Sequence, residues 1–427
     1  MRIKNLLLLL SLFFSFISTS LGCSMYKVSK YGTTIVGCNE DAWRVNSRLW
    51  FENAQNSSQF GAAFTGSRER SPGVFAAQSG MNTQGLVYTR LESYHPEQNQ
   101  TSSDLLRIKD EDQFLIDVLH NCGDINQVKA LFEKYDRSIY LRDVMVYVDS
   151  TGKTLVVEPY KLLVYETSSF VHSNFCPSLT TNKQARKLTR FKNGQDLLSS
   201  KLDTTIAFCT QVSDTMHVCR DRLGDGTLLT TLWNTKQLLV DVFFYHNYSE
   251  SKRFYLTKEL AKGDYMLDLT KTFSPNKEFE LMKSVITPFN SNKLRIFLAV
   301  LGGALSLITL FLVLVTVTKM IRGKPDFIPL FFSLFSLLIV IHLVVLTTHH
   351  GIYYFPSPYV DLSNKWVTYA SYIPILSLSI FPVLSYYLFN SKIRKKLSVL
   401  NQLLFTTIWM VGVMVLTFDF YWGLVAF

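Results

Sequence analysis

The sequence predicts a layered α+β domain followed by an all-α transmembrane bundle. Three observations carry this. Between about residues 23 and 290, short β-patterned runs come in groups with helical patterns between the groups, the sequence form of an α+β domain. From Leu294 onward, apolar stretches of roughly 20 residues recur, each long enough to cross a bilayer. Ahead of both, Arg2 and Lys4 precede the apolar run Leu6–Ile17, and the small residues Ser20 and Gly22 close it, the layout of a secretory signal peptide.

These divisions give a signal peptide at 1–22, a domain at 23–290 and a membrane domain at 291–427. If the first segment is cut after Gly22, Cys23 becomes the mature N-terminus. Two other readings stay open: an uncleaved anchor, or a lipidated Cys23. In the exported domain, strand-like runs are Ser24–Val28, Thr33–Gly37, Gly73–Gln78, Gly85–Leu91, Val144–Asp149, Thr154–Glu158, Leu162–Thr167, Thr227–Trp233 and Leu238–Tyr245. Lys30-Tyr31-Gly32 suits a hairpin turn. Helical patterns cover Glu111–His120, Ile125–Lys134 and Lys183–Leu198, with Asp124 as an N-cap. The membrane domain is expected to hold four spans, at about 296–317, 327–346, 366–389 and 403–425.

The net charge is +10 in 427 residues. It does not point to nucleic acid, because much of the Lys and Arg flanks apolar segments. Lys319, Arg322 and Lys324 follow the first span; Lys392, Arg394, Lys395 and Lys396 follow the third. Lys365 is the fixed cation of the loop between the second and third. Positive-inside logic puts the basic loops in the cytoplasm and the domain before Ile296 outside, although Lys293 and Arg295 mildly oppose this. The spans carry few ionisable groups. His342 and Asp419 are read as structural residues near the membrane interfaces, so the helices are an anchor or a platform for an apolar substrate.

A freed Cys23 would carry a thiol and an α-amine on one residue. The amine titrates near pH 8, low enough to take the thiol proton. No histidine is then required, and processing would itself activate the group. A hairpin around Tyr31–Gly32 brings Asn39–Asp41 back beside Cys23, where Asp41 can hold the protonated amine or orient the thiol. Six cysteines do not make a disulfide scaffold, although Cys209 and Cys219 are spaced for a possible disulfide. A metal site at His217 is not expected, for want of a second ligand pair at metal spacing. Asn56, Asn99 and Asn247 begin sequons. There is no phosphate loop and no nucleotide fingerprint.

At these residues the chain resembles the N-terminal nucleophile amidohydrolases of the choloylglycine hydrolase, penicillin V acylase and acid-ceramidase-like type. The carrying features are Cys23 at a processing point, Gly37-Cys38-Asn39-Glu40-Asp41-Ala42-Trp43, and Gly80-Met81-Asn82-Thr83-Gln84-Gly85-Leu86. Val171–Phe175, the basic run KQARKLTRF at 183–191 and the paired runs in Thr230–Tyr245 follow in the family's order, so the resemblance covers most of 23–250. It implies an αββα sandwich and hydrolysis of a linear, non-peptide C–N bond. Cys23 would be nucleophile and base, Asp41 its support, Asn174 an oxyanion donor and Arg186 the later active-site arginine, with Arg190, Arg220 and Arg222 as rivals. Asn39, Asn82 and Glu92 would contact substrate or oxyanion.

Two departures bear on substrate. Cys38 stands where the family usually has arginine, and Glu92 where bile-salt-cleaving members have asparagine. The expectation is a membrane-tethered, extracytoplasmic amidase acting on an N-acyl amide, a lipid-like one being suggested by the membrane helices, without cofactor, metal or nucleic acid. An acyltransferase of the same fold, or a non-catalytic ligand-binding membrane protein anchored by a lipid on Cys23, are the alternatives.

Overall fold

The computed structural model describes residues 23–42, 46–98, 105–220, 225–323, 326–353, 365–395 and 397–425. The expected signal peptide, Trp43 of the opening motif, Asn99 and Arg222 lie outside the described residues. Two compact units emerge, one from Leu21 to Ser284 and one holding Val285–Phe427.

In the first unit the strands are β1 (Ser24–Lys30), β2 (Thr33–Ala42), β3 (Arg48–Glu52), β4 (Ala62–Gly66), β5 (Ser79–Asn82), β6 (Val87–Glu92), β7 (Asp143–Val148), β8 (Thr154–Val157), β9 (Leu162–Tyr165), β10 (Ser169–His172), β11 (Cys219–Arg220), β12 (Asp225–Asn234), β13 (Leu239–Phe244), β14 (Lys252–Tyr255) and β15 (Tyr265–Asp268). Two small further pairs join Arg68–Ser71 to Val74–Ala76 and Leu106–Arg107 to Tyr135–Asp136. The helices are α1 (Glu111–Asn121), α2 (Ile125–Phe132), α3 (Asn182–Ala185), α4 (Thr189–Ser200), α5 (Ile206–Met216), α6 (Leu256–Leu260) and α7 (Lys277–Ser284). One sheet runs β10-β1-β2-β12-β13-β14, with β11 on the first residues of β12; the other runs β9-β8-β7-β6-β5-β4-β3-β15.

Side-chain alternation along the strands sets the layers. Tyr26, Val28, Ile35 and Leu232 of the first sheet pack with Leu198, Phe208, Val212 and Met216 of α4 and α5. Phe64, Tyr88, Met145, Tyr147 and Leu155 of the second pack with Leu115, Val118, Leu119 and Val128 of α1 and α2. The two opposite faces meet each other. Trp233 Nε1 of the first sheet donates to Ser79 Oγ of the second at 3.3 Å, and Thr231 Oγ1 lies 3.3 Å from the same oxygen. The order is helix, sheet, sheet, helix, so the unit is the expected αββα sandwich.

Local chemistry explains the elements that position the site. Tyr31 and Gly32, at φ +52° and +69°, form the two-residue turn that folds β2 back on β1. A Cβ at Gly37 would lie 2.2 Å from the Tyr26 ring, so only glycine lets that ring lie across the hairpin. Asp124 accepts from Asn126 N and Gln127 N and so starts α2, the expected cap. The single helix expected over Lys183–Leu198 is instead two. A capping box between Thr181 and Gln184 begins α3, the helix ends at Arg186, and α4 begins afresh at Thr189.

The second unit is helical: α8 (Asn292–Ile321), α9 (Phe327–Thr348), α10 (Lys365–Ser371), α11 (Ile373–Phe389), α12 (Ser391–Arg394) and α13 (Val399–Tyr421). Three of these, α8, α9 and α13, are long and apolar enough to cross a membrane. The stretch expected as one span at 366–389 is broken at Tyr372. Pro374 has no N–H to return to the preceding turn, and α11 keeps only 17 residues. Small polar groups join the helices: Thr309 Oγ1 meets Ser336 Oγ at 2.7 Å, and Trp409 Nε1 donates to Ser385 Oγ at 2.9 Å. His342 Nε2 meets Asp419 Oδ1 at 2.8 Å, both fully buried between α9 and α13, so these two form a pair.

Candidate active site

Cys23 sits one residue before β1, and Ser24 pairs with Asn39, so the hairpin sets the sulfur against the end of β2. The Asp41 main-chain N–H donates to Cys23 Sγ. Gln78 Nε2, from the other sheet, approaches the same sulfur at 3.4 Å. Cys23 is therefore held where the two sheets meet, at the edge of a small pocket of about 10 Å³. Cys38, Glu40 and Thr231 line it from the first sheet, with Thr65, Ser79 and Thr89 from the second.

Burial first, then the Asp41 and Glu40 carboxylates, push the Cys23 thiol well above the ordinary thiol range. With its nitrogen in a peptide bond, this cysteine is a poor thiolate. Asp41 is itself pushed up to about 7, chiefly by burial, against the opposing pull of Arg190 and of Thr227. Thr227 Oγ1 donates to Asp41 Oδ1 at 2.5 Å, and Oδ2 has no hydrogen-bond partner among the described residues.

Arg190 completes the group. Its Nε donates to Ser173 Oγ at 2.7 Å and its Nη2 to Asn174 Oδ1 at 2.5 Å. Ser173 Oγ in turn donates to the Cys23 carbonyl at 3.4 Å. Asp41 and Cys23 both act electrostatically on the guanidinium. Arg186, the expected arginine, is elsewhere. It caps α3 and reaches Gln195 Oε1 and Asp196 Oδ1, both at 2.7 Å, on the surface. The break between α3 and α4 turns one arginine of KQARKLTRF outward and the other inward.

The structure gathers Cys23, Asp41 and Asn174 but spreads out other expected residues. Asn174 Nδ2 donates to Glu92 O at 2.6 Å, which leaves one amide proton for a ligand. Glu92 pairs with Arg142 at 3.4 Å, and its charge is felt at Cys23. The Asn39 side chain points to the helix layer. It donates to Ser213 O at 3.0 Å and accepts from Thr230 at 2.9 Å, while the residue still lines the pocket beside Cys23. Asn82, fully buried, is also turned away. It donates to Leu119 O and Cys122 O and accepts from Gln84 N and Leu86 N, pinning the turn before β6 to the end of α1.

Gln78, Ser173 and Thr227 join the group at Cys23 although their sequence context marks them only as strand or motif neighbours. Gln78 lies two residues before the Gly80–Leu86 motif and Ser173 immediately precedes Asn174, the only local signals for either. Thr227 is visible only through pairing with β2, where a register shift between Thr227 and Leu229 lets its hydroxyl reach Asp41. Cys38, in the family's arginine position, is buried with its thiol pushed up to about 12 by burial, against hydrogen bonds with Thr89, Thr231 and Ser79. No disulfide joins Cys209 to Cys219: Cys209 is in the core under α5, and Cys219 is at the sheet edge on β11.

No family model matches the chain, and no curated protein matches it. Solved structures do resemble it. Two variants of conjugated bile acid hydrolase from Clostridium perfringens align at 16% identity and a TM-score of 0.44, each over 60% of this chain and over 97% and 98% of their own. Penicillin V acylase from Agrobacterium tumefaciens aligns at 16% identity and a TM-score of 0.41, over 58% of this chain and 91% of its own.

Proposed function

We propose that this chain is a membrane-tethered, extracytoplasmic amidase that cleaves a linear, non-peptide C–N bond with Cys23 as nucleophile. The observation that carries this reading is the grouping of Asp41, Arg190 and Asn174 around a cysteine that immediately follows a signal-peptide-like segment. Removal of Met1–Gly22 would free an α-amine beside Asp41 and Glu40. That amine would take the thiol proton, and its positive form would offset the carboxylates that hold the thiol pKa high. The thiolate would then attack the amide carbon. Gln78 Nε2, or the remaining proton of Asn174 Nδ2, would donate to the oxyanion, a contribution of about 3 kcal/mol for a well-placed donor. The protonated α-amine would return its proton to the departing amine, and water would release the acyl group from the thioester. The small pocket next to the sulfur is lined by hydroxyls, Cys38 and Glu40, which disfavours a substrate carboxylate at that end.

The test joins protein chemistry with turnover. Mature protein should begin at an unmodified Cys23 by mass, and a panel of N-acyl amides should include a substrate. Cys23→Ala should fold normally and lose at least about a thousandfold in kcat/KM. A lipid on Cys23, a retained leader or an active Cys23→Ala protein overturns the reading.

A further inference from the structure

Three residues far apart in sequence meet beside the first sheet. Cys219 lies on β11, His246 follows β13, and Glu278 lies in the first turn of α7. One ligand atom from each lies within 4.8 Å of the others, and all three are half-buried. We propose that this cluster is a binding site for a divalent transition metal of the zinc class.

The donor set argues for that class. A thiolate, an imidazole and a carboxylate are a borderline-to-soft combination that suits zinc or cobalt and not magnesium or calcium. Ligand atoms around a tetrahedral zinc lie about 3.5 Å apart, since the bonds are about 2.0–2.3 Å. From 4.8 Å the gaps close with movements of about 1 Å, within reach of side-chain rotation. His246 Nδ1 and Glu278 Oε2 are already 3.1 Å apart.

The scaffold holds the ligands in place without a metal. Asn276 Oδ1 accepts from Glu278 N and Phe279 N and so starts α7, while its Nδ2 donates to Tyr245 O at 3.2 Å. Phe279 packs edge-on against Phe244 and Tyr245, with centroids 4.9 and 5.1 Å away. Tyr245 and His246 both hold left-handed backbone, φ +54° and +41°, an unfavourable pair for non-glycine residues that turns the imidazole toward α7. His217 stacks on His246 at 5.5 Å. Three protein ligands leave a fourth position for water. Binding would displace the Cys219 thiol proton to solvent and staple α7 and β11 to the turn after β13.

The test uses full-length Cys23→Ala protein in detergent, because a freed Cys23 is itself a thiol-amine chelate. Titration with Co²⁺ should give one equivalent and a near-ultraviolet thiolate-to-cobalt band, which Zn²⁺ bleaches. Cys219→Ser should abolish the band and weaken Zn²⁺ binding at least about a hundredfold. Glu278→Gln, which leaves the helix cap intact, should keep the band and bind about tenfold more weakly. Absence of a band, a band unchanged in Cys219→Ser, or Zn²⁺ affinity unchanged in Glu278→Gln overturns the proposal. None of these readouts depends on amidase activity, so they stand or fall apart from the Cys23 mechanism.

Discussion

Arg190 holds Asn174 from α4: its Nη2 donates to Asn174 Oδ1 at 2.5 Å while its Nε donates to Ser173 Oγ at 2.7 Å. That fork fixes which way the Asn174 amide points, because Oδ1 must accept and Nδ2 must donate. A lysine has no planar fork and cannot make both bonds with the same geometry. Arg190→Gln and Arg190→Lys should each lower kcat/KM on an N-acyl amide substrate by about 10²–10³-fold. Arg186→Gln should stay within about twofold of the parent, since it loses only a surface pair with Asp196. Equal effects at the two positions would refute this assignment.

The difference between Arg186 and Arg190 shows what the sequence leaves open. Both lie in one basic run, and a continuous helix over Lys183–Leu198 leaves no ground for choosing between them. The choice is made by the break after the capping box at Thr181, a three-residue detail of backbone path. The hairpin, the Asp124 cap and the approach of Asp41 to Cys23 were legible because turn residues, cap residues and register are local. The Gly80–Leu86 motif does not say whether the Asn82 amide faces a ligand or backbone carbonyls, and the fold turns it to the backbone. Strands β3 and β4 were missed for a related reason: Ala62–Gly66 is buried throughout and has no alternation to detect.

Asp41 makes a pH prediction with a definite sign. Its carboxyl titrates near 7 in the folded chain against an ordinary 3.8, mainly because it is buried. The folded state thus favours the protonated form. The stability linked to it is fully present below about pH 4 and is lost as pH rises through about 7. In a Cys23→Ala background, Asp41→Asn should match its parent near pH 4. It should gain progressively to pH 8, by a few kcal/mol at most, since each pKa unit is worth about 1.4 kcal/mol. The two melting curves are compared across that range, and a difference that does not change with pH would defeat the prediction.

Asn82 predicts a separation of stability from chemistry. All four of its bonds go to backbone groups, and it is fully buried. Asn82→Ala strands two carbonyls and two N–H groups inside the sandwich. The expected loss is about 2–4 kcal/mol of folding stability, as for several buried partners left unmet. Turnover per folded molecule should stay near that of the parent, measured against titrated active sites. A stable Asn82→Ala protein with collapsed kcat would return Asn82 to the substrate side.

In the helical unit, His342 and Asp419 make each other tolerable. Their contact at 2.8 Å joins α9 to α13, two helices of largely apolar sequence. Removing one partner leaves the other buried and polar, which costs far more than removing both. His342→Leu should therefore destabilise the detergent-solubilised protein by about 3–5 kcal/mol, seen as a lower temperature of aggregation. The double variant His342→Leu with Asp419→Leu should recover most of that loss, because two apolar side chains can pack where the pair stood. If the double variant is as unstable as the single one, the pair does more than satisfy itself. A buried polar contact between these helices would then be kept for a function of the helices and not for their packing.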